Sequence, residues 1–224
     1  MKRFLVPLVL AAFVGGGVAH AADPELKTDD DKTLYALGMV IANQLAAFKL
    51  TPAELDLVKA GLSDGVAGKT GKVDLETFGP KIQPLAQQRR AAGAAEEKKK
   101  GKEYLDKIAA NSKIKKLDAG ILLETVAEGT GASPTATDNV KVNYKGTTID
   151  GHVFDSSEKH GGPATFKLDQ VVKCWSQGLQ FMKVGGKAKL YCPSDAAYGD
   201  RGQGADIPPG ATLVFDVELL EIVK

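Results

Sequence analysis

The C-terminal half of this 224-residue chain is poor in groups that carry enzyme chemistry and well supplied with aromatic rings at strand ends and turns. Two of the chain's three histidines, His152 and His160, fall here in polar, loop-like segments. There is no nucleophile elbow, HExxH helix, Walker loop or dinucleotide fingerprint. Hydrolytic and metal-dependent chemistry are therefore weak readings, and neither a cofactor nor a metal is expected. What remains is Tyr144, Phe154, Phe166, Trp175, Tyr198 and Phe215. Taken singly, each reads as core; any other reading must come from the local sequences around them.

Cys174 and Cys192 are the only cysteines, 18 positions apart. Two cysteines without clustered histidines make a poor zinc site. Whether they pair depends on the compartment. Residues 1–21 have the layout of a secretory signal peptide. Lys2 and Arg3 are followed by an apolar stretch from Phe4 to Val18, then by the small-x-small pattern Ala19-His20-Ala21. A membrane anchor is the other reading, but Pro7 and Gly15 to Gly17 interrupt a stretch already short of about 20 residues. Export, most simply to a periplasm and otherwise to the outer membrane or the medium, places the cysteines where a disulfide can form. The alternative is two small buried thiols.

These residues need elements to position them. From Ile114 onward, short β-type runs alternate with turns. ILLETVAEG, NVKVNYKGTTI, ATFKL, KAKLYC and TLVFDVELLEIV read as strands, and Trp175 to Met182 as one short amphipathic helix. The fold class is therefore α+β, an antiparallel sheet wrapped on one helix. Upstream the texture is helical. Leu34, Leu37, Ile41, Leu45 and Phe48 make one apolar stripe, and Leu55, Val58 and Leu62 another. Thr51-Pro52-Ala53-Glu54 is a capping-box start. A third helical stretch starts around Asp74 and runs to about Asn111; at Pro80 and Pro84 it either kinks or, alternatively, begins properly at Pro80. It is rich in Ala, Lys, Glu and Gln and poor in apolar residues between Arg89 and Lys102, as a solvated spacer would be. The division is 1–21 signal peptide, 22–72 helical module, 73–111 linker helix and 112–224 α+β domain.

About 50 residues of helix cannot bury enough apolar surface to be stable alone. Pairing with a second copy is the simplest remedy, so a homodimer through 22–72 is expected. The net charge of +1 gives no argument for a nucleic-acid or membrane partner. Lys98 to Lys100 are flanked by Glu96, Glu97 and Glu103, which argues against a nucleic-acid site.

The segments VNYKGTTIDGHVFDSS, PATFKL, VVKCWSQGLQFMKVGGKAKL, YCPSDAAYGDRG and IPPGATLVFDVELLEI, in this order from Val142 to Ile222, resemble the FKBP-type peptidyl-prolyl isomerase domain. The likeness covers about Ile121 to Lys224. The upstream TLYALGMVIANQL and long Lys/Ala/Glu helix resemble the exported bacterial FkpA and macrophage infectivity potentiator group. The resemblance implies a half-barrel antiparallel sheet wrapped round one short helix, with an aromatic-walled pocket. By motif position the catalytic set is Tyr144, Phe154, Asp155, Val172, Trp175, Tyr198 and Phe215, with Phe166, Val171 and Ile207 completing the substrate surface. Trp175 would be the floor, the Val172 N–H and Tyr198 hydroxyl the ligand donors, and Asp155 the acidic group at the edge.

The activity so implied is prolyl isomerisation of exported clients. A peptide bond resists rotation by about 18–20 kcal/mol because resonance makes its C–N link partly double. The twisted amide has lost that resonance and is less polar, so an apolar site favours it with no nucleophile and no proton transfer. Macrolide inhibitors are implied as ligands. The chain departs from the family at Cys174, where Gly is usual, and at Cys192, where a bulky apolar residue is usual. Cysteines at two such positions favour a Cys174–Cys192 bridge pinning the pocket floor. Where eukaryotic members carry an Arg near the acidic residue, this chain reads Glu158, Lys159 and His160. The alternative function is a holdase chaperone, binding clients between the arms of a dimer.

Overall fold

The computed structural model describes residues 24–223. The proposed signal peptide lies outside the described residues. The boundary between two compact units falls after Ile41, and each is described by itself. None of the described helices is long and apolar enough to cross a membrane.

The N-terminal helix α1 (Asp29–Leu45) opens on three aspartates, which suit the positive end of the helix dipole, and has no buried residue. In the second unit, α2 (Pro52–Val66) begins at the capping box read from the sequence. The Thr51 N–H donates to Glu54 Oε2 at 2.9 Å, and the Thr51 hydroxyl accepts from the Glu54 N–H. α2 buries no residue either.

The third helical stretch is not continuous from Asp74. Asp74 caps only the single turn α3 (Leu75–Phe78), accepting from the N–H groups of Glu76 and Thr77. Pro80 then sits in a 3₁₀ turn, and the long helix α4 runs over Ile82–Ala109. Pro80 has no N–H to extend the ladder, whereas Pro84 falls in the first turn of α4, where no intrahelical donor is needed. At 28 residues α4 is about 42 Å long.

Nor is α4 solvated all round. Its buried residues are small: Ala86, Gly93, Ala94 and Gly101. Such positions carry no apolar signal in the sequence, because they bury by letting another segment of the chain approach closely. A side chain on Gly210 would strike the Ala94 backbone, and one on Gly101 would strike Thr212. Further along, Tyr104, Leu105, Ile108 and Ala109 cover Ile114, Leu122, Tyr191 and Val214. Toward its start, the Arg89 guanidinium bonds the Phe48 carbonyl at 2.9 Å and the Glu54 carboxylate at 2.5 and 3.1 Å.

The C-terminal fold is one antiparallel sheet: β1 (Ile114–Lys116), β2 (Leu122–Ala127), β3 (Asn139–Thr148), β4 (Val153–Ser156), β5 (Ala164–Lys167), β6 (Lys187–Cys192) and β7 (Leu213–Val223). The strand order is β1-β2-β6-β7-β3-β4, with β5 also on β3. β5 pairs with the first half of β3 and β4 with the second. The strands alternate as half-buried strands must. On β7, Phe215, Val217 and Leu219 face in while Asp216 and Glu218 face out. The inner face closes over the one short helix of this part, α5 (Lys173–Gly178), which buries Cys174 and Trp175.

β1 and β4 are not among the sequence-read strands. β1 has three residues and β4 four, and Phe154-Asp155-Ser156 carries a carboxylate and a hydroxyl where a strand pattern would be apolar.

Candidate active site

β3, β4, β5, β7 and α5 each deliver a ring to one place. Tyr144 comes from the middle of β3, Phe154 from β4, Phe166 from β5, Phe215 from β7 and Trp175 from α5. Trp175 is central. Its ring centroid lies 5.3 Å from Tyr144, 5.3 Å from Phe166 and 5.4 Å from Phe215. Phe154 meets Phe215 at 5.6 Å, and Tyr144 meets Phe166 at 5.7 Å. All five pairs are edge-to-face, the arrangement the ring quadrupole favours. Tyr144, Trp175, Phe215 and Ile207 are buried; Phe154, Phe166, Val171, Val172 and Tyr198 are partly exposed and pack against the same core. Every ring, valine and isoleucine singled out in the sequence therefore falls in one cluster.

Gly146 permits the approach. It pairs with Phe215 across β3 and β7, and a Cβ there would stand 2.5 Å from the Phe154 Cζ and 2.9 Å from the Phe215 Cε1. Its role was not read from the sequence. A glycine inside a strand pattern is a general sign of close approach, and that was the available signal.

The polar groups are few. The Tyr144 hydroxyl donates to Asp155 Oδ2 at 2.7 Å. Asp155 Oδ1 accepts the Ser156 N–H at 2.9 Å and faces His160 Nε2 at 2.9 Å. Burial pushes the Asp155 carboxyl up, but the bonds from Tyr144, His160 and Ser156 outweigh it and hold it below the usual carboxylate value. Burial, then the bond to Asp155, raises the Tyr144 phenol well above its ordinary range, so it remains a donor. Burial also raises the Tyr198 phenol. Among the described residues, the Tyr198 hydroxyl and the Val172 N–H make no hydrogen bond to protein, and the buried Trp175 Nε1–H has no acceptor.

Cys174 and Cys192 form a disulfide between α5 and β6, with Cα atoms 5.6 Å apart and both residues fully buried. The bridge lies immediately beside Trp175 in the chain. Tyr198 sits in the segment between β6 and β7, which α4 holds from outside: Lys98 Nζ reaches Asp195 at 3.0 Å and Asp200 at 2.8 Å, one on each side of Tyr198. No cluster of metal-ligating side chains occurs among the described residues.

A groove of about 940 Å³ runs along the outer face of the sheet. Its lining mixes Val126, Val153 and Ala188 with Asn143, Lys187 and Glu218, and the Asn143 amide and Lys187 ammonium both bond the Glu218 carboxylate.

Residues 131–220 match the family model described as FKBP-type peptidyl-prolyl cis-trans isomerase, and residues 30–124 match the domain amino-terminal to it. Across 218 residues the chain is 40% identical to the FKBP-type peptidyl-prolyl cis-trans isomerase FkpA of Aeromonas hydrophila, covering 92% of this chain and 81% of that protein. The chain belongs to the FKBP-type peptidyl-prolyl cis-trans isomerases. FkpA of Escherichia coli K12 is likewise 40% identical, covering 91% of this isomerase and 80% of that protein. The peptidyl-prolyl cis-trans isomerase Mip of Coxiella burnetii is 34% identical over the full length of both chains. The crystal structure of Escherichia coli FkpA superposes on this isomerase with a TM-score of 0.68 at 38% identity, covering 88% of this chain and 98% of that one. The α+β fold with its preceding helices is thus shared with a solved relative.

Proposed function

We propose that the ring cluster around Trp175 is the substrate pocket of this isomerase, and that it works by favouring the twisted X–Pro amide over the planar one. The observation that carries the reading is the convergence of three rings on one indole, with Phe154 packed behind Phe215, beside a partly exposed Tyr198 and an unpaired Val172 N–H. Rings meeting edge-on present an apolar surface that grips a pyrrolidine ring. The twisted amide is less polar than the planar one, so such a surface discriminates in its favour, and each 1.36 kcal/mol of discrimination is tenfold in rate. The free N–H and hydroxyl would hold the flanking carbonyls and fix the chain in a turn. Tyr144 and Asp155, bonded to each other, would shape the rim.

Exported polypeptides whose X–Pro bonds isomerise in tens to hundreds of seconds are the clients this reading assigns, with the periplasm as the compartment. A signal-like N-terminus and a disulfide support it. A macrolide inhibitor would occupy the same ring-lined surface.

Chaperone action as a homodimer through 22–72 is proposed alongside. Its support is that Leu34, Leu37 and Val40 on α1, and Leu57, Leu62 and Val66 on α2, are all exposed in the single chain. Such a density of apolar side chains calls for a partner surface.

A proline-peptide isomerisation assay on the mature chain tests the pocket. Tyr198→Phe is expected to lower kcat/KM about tenfold, and Asp155→Ala by a smaller factor. Full activity in both variants would remove Tyr198 and Asp155 from the working site, and none in the wild type would leave only the client-binding reading.

A further inference from the structure

Two members of the ring cluster's surroundings, Tyr198 and Ile207, come from the 193–212 segment between β6 and β7. No strand ladder holds that segment. It runs through two short 3₁₀ turns, Ser194–Ala196 and Gly199–Arg201, and one isolated bridge between Gln203 and Ile207. The Tyr198 hydroxyl makes no hydrogen bond to protein among the described residues. The backbone on either side of Tyr198 therefore decides where that hydroxyl stands.

This backbone rests on α4. Ala94 is buried, and a Cβ on Gly210 would stand 2.9 Å from the Ala94 Cα, so the segment meets the helix with no side chain between them. The Gly210 N–H donates to the Gly199 carbonyl at 2.9 Å, which carries the contact to the residue after Tyr198. One turn along the same face of α4, Lys98 Nζ bonds Asp195 Oδ1 at 3.0 Å and Asp200 Oδ1 at 2.8 Å. The two aspartates bracket Tyr198 in the chain. Glu97, beside Lys98, is taken by Lys100 at 3.1 Å and does not compete for its ammonium.

Ion pairs this exposed contribute little to overall stability. One ammonium shared by two carboxylates nevertheless fixes geometry. Without it the two like charges repel, and the turn between them opens.

We propose that Lys98 is a positioning residue of this isomerase: by drawing Asp195 and Asp200 onto α4, it sets where the Tyr198 hydroxyl stands relative to the ring cluster. The catalytic unit thus extends back into α4. The inference rests on the reading of Tyr198 as a ligand donor of the pocket.

The test is kcat/KM for a short proline peptide on the mature chain, with urea unfolding of each variant. Lys98→Met keeps most of the side chain's stem and removes its charge. It is expected to lower kcat/KM about fivefold, within what one misplaced hydrogen bond costs, with the urea midpoint unchanged. Lys98→Arg is expected to restore activity. In a Tyr198→Phe background, Lys98→Met is expected to add no further loss, because the group that it positions is gone. Full activity in Lys98→Met overturns the proposal. So does a loss that follows a lower urea midpoint, or one of equal size with and without the Tyr198 hydroxyl. Tyr198→Phe alone separates the two readings. Full activity there removes Tyr198 from the pocket, whereas a loss there beside a fully active Lys98→Met removes only the role of Lys98.

Discussion

Gly101 on α4 lies so close to Thr212 at the head of β7 that a side chain at 101 would strike the Thr212 hydroxyl and stand 2.9 Å from its Cβ. The contact joins the long helix to the strand that carries Phe215. Gly101→Leu is therefore expected to push α4 off the sheet and cost about 1–3 kcal/mol, as overpacking usually does. Urea unfolding of the full chain measures the loss. Hydrogen exchange should quicken from Tyr104 to Ala109 in the variant. Unchanged stability and exchange would mean that the helix docks differently in solution.

The same docking fixes where the catalytic part can be cut. A fragment of 112–224 keeps every residue of the ring cluster but leaves Ile114, Leu122, Tyr191 and Val214 without the cover of Tyr104, Leu105 and Ile108. A fragment of 92–224 keeps that cover. The longer piece is expected to be more stable by several kcal/mol, since each large apolar side chain uncovered costs about 1.5–3 kcal/mol. Both should isomerise short peptides at low temperature, and the shorter should lose activity first on warming. Equal melting points would contradict this.

The Cys174–Cys192 bridge closes a loop of 18 residues, for which constraint of the unfolded chain contributes about 3 kcal/mol. Replacing both cysteines by Ala should lower the midpoint of thermal unfolding by several degrees. Because Trp175 is the next residue along α5, the fluorescence of this sole tryptophan should also broaden or shift. Mass spectrometry with and without reductant checks the bond itself; an untouched melting curve would show that the bridge constrains little.

Acid should separate α2 from α4 late. The bond from Arg89, then those from the Thr51 N–H and hydroxyl, lower the Glu54 carboxyl to about 2. A depressed acid contributes stability that is full above its unfolded value, near 4.3, and is lost as pH falls through the folded one. The Arg89–Glu54 contact should thus hold to about pH 3 and fail toward pH 2. An NMR titration of Glu54 reads this directly. Arg89→Gln should move the midpoint up toward the ordinary glutamate value; no movement would remove the ion pair as its cause.

Much of this was legible before any coordinates. The Thr51–Glu54 capping box reads correctly because its partners are three residues apart. The rings from Tyr144 to Phe215 could be grouped together because each lies inside a segment with a family likeness, and they do fall in one hydrophobic cluster. The docking of α4 was not legible: Ala94 and Gly101 bury by being small, and smallness leaves no periodic apolar trace. Nor was the pairing of His160 with Asp155, since a polar turn after a strand reads as solvated loop until the turn folds back. Chain-local signals were readable, and contacts made by absent side chains or by folded-back turns were not.

The most direct measurement follows the indole N–H of Trp175 by ¹H–¹⁵N NMR while a proline peptide that the enzyme isomerises is added to saturation. The chain has a single tryptophan, so the resonance needs no mutant for its assignment. If the ring cluster holds the X–Pro bond, the indole signal shifts saturably, with the same midpoint at which the peptide competes in the isomerisation assay. An indole signal that stays in place while the peptide is bound and turned over would put catalysis elsewhere on the molecule.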